Sequence, residues 1–148
     1  TIGRSLGGGV LPVSAFVADR EVMDVISHDA HCPNFNGNPL ASAVAVAALE
    51  VIENEGLVER SAEIGADFME RLRAINSPHV GEVRGAGLLI GVEIKRSSGS
   101  ARAFCESLLT RGVLAKETQE QVIRFAPPLN IDPEDLNWAI GRIEDVLS

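Results

Sequence analysis

From residue 38 onward, apolar positions recur with helical and strand periods in turn. Asn38-Pro39 reads as a helix start, with Asn capping and Pro at the first helical position, where no amide hydrogen is needed. This helix is expected to run to about residue 53 and to stop near Gly56. Its first half, residues 40–48, holds only Leu, Ala, Ser and Val. A helix so small all round is normally buried on several sides. A second helix is expected over residues 57–75, with Leu57, Ile64, Phe68, Leu72 and Ile75 on one stripe and Glu59, Glu63, Asp67 and Glu70 among its solvated positions. Asn76-Ser77-Pro78 turns the chain.

Residues 80–84 and 88–94 read as two strands flanking Gly85-Ala86-Gly87, followed by a polar turn at 95–99. A helix over 101–111 ends at Gly112. Short strands are expected at 113–115 and 121–125, the latter stopped by Pro127-Pro128. Asp132 and Pro133 open the last helix, whose buried stripe is Leu136, Ile140, Ile143 and Leu147.

The first 37 or so residues read differently. A glycine cluster, Gly7-Gly8-Gly9, leads into a strand-like stretch at 11–18, apolar on both faces. Asp19 is placed to cap a short helix over 20–26, and residues 27–37 form a loop punctuated by Pro, Asn and Gly. One strand and a glycine turn make no sheet alone, so residues 1–40 read as the tail of one domain and 41–148 as a second. The fold class is α/β, with an α+β second domain in which helices cover a small sheet.

Composition narrows the function classes. The chain has 148 residues, enough for one real core, and no tyrosine, so that core rests on Ala, Val, Leu and Ile. A net charge of −8 argues against nonspecific binding to nucleic acid or an anionic membrane. The longest apolar run, 43–49, is too short to span a bilayer. Cys32 and Cys105 lack metal-ligand spacing; Cys105 falls in a helical pattern as a small buried hydrophobe, and both fit a reducing, cytoplasmic setting. His28, Asp29 and His31 read as polar loop residues rather than a metal site.

Four stretches carry a family resemblance, in order and at matching spacing. They are Gly3-Arg4-Ser5-Leu6-Gly7-Gly8-Gly9; His31-Cys32-Pro33-Asn34-Phe35-Asn36-Gly37-Asn38-Pro39-Leu40; Val83-Arg84-Gly85-Ala86-Gly87-Leu88-Leu89; and Val113-Leu114-Ala115-Lys116 with Val122-Ile123-Arg124-Phe125-Ala126-Pro127-Pro128-Leu129. Together they resemble the C-terminal third of the class III pyridoxal-phosphate aminotransferases, nearest to the ornithine group. The resemblance implies a fold-type I architecture and transfer of an amino group from ornithine or a related ω-amine to 2-oxoglutarate.

It also implies site roles. The family's Schiff-base lysine corresponds to Arg4, whose guanidinium stays charged and cannot form the imine or shuttle its proton. Arg4 reads as an anion contact, as a drifted residue in a lost site, or as an engineered replacement of the lysine. The family's Ser-Thr phosphate loop corresponds to Pro33-Asn34, leaving Asn34 with one amide donor at a degenerate cofactor position. Arg124 corresponds to the arginine that takes the substrate carboxylate, and equally suits a structural strand role. Arg84 reads as a structural cation pairing a carboxylate or backbone. No catalytic residue and no metal ligand is assigned. Residues 117–121 depart from the Pro-Thr-His-Gly type of the ornithine enzymes.

The resemblance therefore yields two expectations. The chain is an aminotransferase portion, inactive alone and not binding pyridoxal phosphate by itself, completed by a homo-oligomer or a complementing N-terminal chain. Alternatively it is a non-enzymatic interaction module or degenerate remnant.

Overall fold

The computed structural model describes residues 1–3, 5–26 and 37–148. The chain divides into two compact units, Thr1–Gly56 and Leu57–Ser148. The long helix thus groups with the residues before it, whereas a boundary at 40/41 would place it with those after.

In the first unit the expected strand at 11–18 does not form. Isolated bridges stand in its place: Ile2 and Ala15 exchange two backbone hydrogen bonds of 2.7 and 3.0 Å, and Ser5 bridges Val13. Among the described residues no further strand pairs with this segment, so it propagates no ladder. The glycine cluster winds through successive turns, with Gly8 and Gly9 at φ of 58° and 81°. A Cβ on Gly7 would overlap the Leu11 carbonyl, so the cluster is required by close backbone approach. Helix α1 is a single turn, Arg20–Met23, shorter than the expected 20–26, and Asp19 makes no side-chain cap. Helix α2 spans Pro39–Asn54, its start fixed by Asn38 Oδ1, which accepts from the amides of Leu40 and Ala41 at 2.9 and 3.2 Å. Val10, Val17 and Val25 are each at least 75% exposed.

The second unit is a four-stranded antiparallel sheet, order β1-β2-β4-β3, with three helices over one face. The strands are β1 Val80–Ala86, β2 Leu89–Ile94, β3 Lys116–Thr118 and β4 Val122–Phe125. Helices α3 (Leu57–Ala74), α4 (Ala101–Thr110) and α5 (Pro133–Leu147) supply the covering layer, and Arg96–Ser98 forms a 3-10 turn. Alternation sorts the faces. Val83, Ile90, Val92, Ile94, Ile123 and Phe125 point into the core and meet Phe68, Leu72, Leu108, Ile143 and Leu147. The stripe expected on α5 is fully buried, and Asp132 caps that helix by accepting from Glu134 N–H at 2.7 Å.

The strand expected at 113–115 lies instead at Lys116–Thr118. Its first residue belongs to the end of α4. Gly112, at φ 84°, donates to Leu109, and Val113 reaches back to Leu108 at 3.0 Å. This is a Schellman closure, with Val113 and Leu108 both buried as its hydrophobic contact.

Candidate functional site

The uncovered face of the sheet holds the polar chemistry of the second unit. A one-residue bulge at Gly81 sets the register of β1 against β2, so that Glu82 pairs with Glu93 and Arg84 with Gly91. Across the other side of β2, Gly91 pairs with Arg124 of β4, and Arg124 pairs in turn with Lys116 of β3. Arg84, Gly91, Arg124 and Lys116 therefore form one row running across all four strands. The next row is Glu82, Glu93, Val122 and Thr118.

Arg84 is held as expected of a structural cation. Its Nη1 donates to Glu82 and Glu93, 2.7 Å to each. The hydrogen bond to Glu93 leads in raising its pKa further above the ordinary arginine value. Two acids directly opposite one another would repel, and Arg84 answers both.

Arg124 is exposed between buried Ile123 and Phe125, as strand alternation dictates. No carboxylate pairs with it among the described residues. Glu93, which lies diagonal to it in register, is turned to Arg84. Gly91 puts no side chain between the two arginines, and a Cβ there would meet Val122 Cγ1 at 3.2 Å. Lys95 is occupied, donating to the Pro78 carbonyl at 3.0 Å.

Two depressions mark this unit. A polar one of about 370 Å³ lies at the Glu93 end of the open face, lined by Arg84, Glu93, Lys95, Arg96, Gln119 and Gln121. An apolar one of about 270 Å³ is lined by Phe68, Val113, Phe125, Pro127, Leu136 and Ile143. Cys105 is buried in α4, and burial, then the charges of Glu117 and Glu106, push its thiol pKa up. The expectations for Arg4, His28, Asp29, His31, Cys32, Pro33, Asn34 and Asn36 fall outside the described residues. The residue that the motifs did not single out is Lys116 as the cross-strand neighbour of Arg124; the lysine stood in the fourth motif, but only the register reveals the pairing.

Comparison with known proteins agrees with this architecture. The family model described as aminotransferase class-III matches residues 1–147. Ornithine aminotransferases of Brevibacillus brevis and Bacillus subtilis are 54% and 52% identical over 146 residues, covering 99% of this chain and 36% of theirs. The chain thus spans about a third of the length of these relatives. Among solved structures, an ornithine aminotransferase from Toxoplasma gondii, described as having partial occupancy of PLP at its active site, superposes with a TM-score of 0.90 at 40% identity. It covers 98% of this chain and 35% of its own. An acetylornithine aminotransferase from Elizabethkingia anophelis gives 0.86 at 39%, covering 98% and 39%.

Proposed function

The chain belongs to the class III aminotransferases, and from that premise we propose that it is the carboxylate-holding portion of an ornithine-type enzyme. Arg124 is the residue that takes the substrate carboxylate. The observation that carries this reading is the exposed guanidinium of Arg124, without an acidic partner among the described residues, beside the side-chain gap left by Gly91. A planar guanidinium fork suits bidentate capture of a carboxylate.

Pyridoxal phosphate supplies the electron sink for amino transfer in the family, and its anchoring needs an amine that can lose a proton. The residues present do not fit that need. Position 4 is arginine, and the two lysines of the chain, Lys95 and Lys116, both lie in the second unit, at the sheet. This chain alone is therefore read as catalytically silent. The exposed apolar Val10, Val17 and Val25 support contact with another aminotransferase polypeptide, either a further copy or a complementing chain.

The test is to incubate the chain with pyridoxal phosphate, reduce with borohydride and map any adduct. The expected result is no residue-specific imine on the wild-type chain. A stable adduct at one defined residue would overturn the silent reading. Amino transfer from ornithine after mixing with a complementing chain would support the split assembly over a purely non-enzymatic module.

A further inference from the structure

We propose that Lys116 is a second anion ligand beside Arg124, so that the open sheet face carries a two-cation carboxylate site. This rests on the reading of Arg124 as carboxylate-binding and adds a partner to it. Lys116 and Arg124 are direct cross-strand partners in the β3–β4 pairing and both are exposed. Residues so paired have Cβ atoms roughly 4.5–5.5 Å apart, and like charges at that spacing destabilise a sheet.

The same face shows how the fold treats such a conflict elsewhere. Glu82 and Glu93 also face one another, and Arg84 bridges them. Lys116 and Arg124 have no such bridge among the described residues. Glu117, next to Lys116 in sequence, is in register with buried Ile123 and so lies on the helix-covered side. Glu93 is engaged by Arg84. A bound carboxylate would supply the compensating negative charge, and Gly91 leaves room for it beside Arg124. Arginine supplies the fork that fixes the carboxylate plane, and lysine a point charge that strengthens its hold.

The test titrates glutarate, an unreactive dicarboxylate, into the full chain by calorimetry, with Arg124→Met, Lys116→Met and Lys116→Arg variants. Arg124→Met is expected to weaken binding at least about tenfold, and Lys116→Met roughly three- to tenfold. Lys116→Arg is expected to bind within about twofold of wild type. Without glutarate, Lys116→Met should melt no lower than wild type, because a repulsive pair is gone, and glutarate should raise its melting temperature less. A Lys116→Met variant with unchanged glutarate affinity, beside a weakened Arg124→Met, overturns the role of Lys116 and leaves Arg124 standing. No glutarate binding by wild type at ~50 mM, or binding indifferent to Arg124→Met, overturns both. Inorganic phosphate binding more tightly than glutarate at the same residues overturns the carboxylate assignment.

Discussion

Gly65 of α3 and Gly87 of the β1–β2 turn approach so closely that a methyl group on Gly65 would overlap the Gly87 carbonyl. The contact is a seam. Leu88 N–H donates to Ser61 Oγ at 3.1 Å one helical turn earlier, and Gly87 sits at φ 53°. The helix is thereby locked to the hairpin that carries Glu82, Arg84 and Glu93.

Gly65→Ala is accordingly expected to lower stability by about 1–3 kcal/mol, the range for overpacking a tight contact. Urea denaturation should show a lower midpoint with an unchanged slope. A midpoint equal to wild type would mean that the seam yields at no cost.

The β3–β4 turn holds two non-glycine residues in the left-handed region, Gln119 at φ 53° and Glu120 at φ 64°. Such residues cost of order 1–2 kcal/mol each, partly offset when glycine's freer unfolded chain is counted. Glu120→Gly should therefore raise the melting temperature by a few degrees. The Glu120 carbonyl, which accepts from Ala101 N–H at 3.0 Å, is retained in the variant. A lower melting temperature would contradict the assignment of strain to this turn.

The thiol of Cys105 has its pKa raised in the folded state above the ordinary 9.0, chiefly by burial. The unfolded chain loses this proton first, so the stabilising contribution is complete below the unfolded value and is lost as pH rises through the folded one. In a Cys32→Ser background, alkylation of Cys105 should be slow at pH 8 and fast in denaturant. Equal rates in both would show the thiol to be accessible.

Glu93→Gln frees Arg84 from one of its two carboxylates and makes the open face more positive. Glutarate affinity is expected to rise about two- to fivefold, more at low salt. Arg84→Met should lower it by a similar factor, about two- to fivefold, since it removes one positive charge and releases Glu93, which lies diagonal to Arg124. A large loss on Arg84→Met would place that arginine in the ligand site.

The helices from residue 38 onward and the hairpin were legible because each carries its own punctuation. Asn38-Pro39 opens α2 and Asp132-Pro133 opens α5, while Gly56 follows the end of α2 and Gly112 closes α4. The failures are nonlocal. Residues 11–18 have a strand's composition, but a strand needs a neighbour, and among the described residues they make only isolated bridges. Val113 is β-branched, yet the Schellman closure of α4 claims it before a ladder can begin. At the site, Arg124 stood out from its motif, whereas its pairing with Lys116 depends on strand register. The motif readings at Arg4 and Asn34 lie outside the described residues.

Gly91 has one consequence for redesign. It is the floor tile between a cation that is already neutralised and one that is not. Bulk added there would shrink the room above Arg124 while leaving every charge in the row unchanged. With Arg124 as the carboxylate ligand, position 91 would act as a size sieve separable from electrostatics: Ala, then Ser, would trim the ligands accepted by length and girth, with the 3.2 Å approach to Val122 setting how much bulk the strand tolerates.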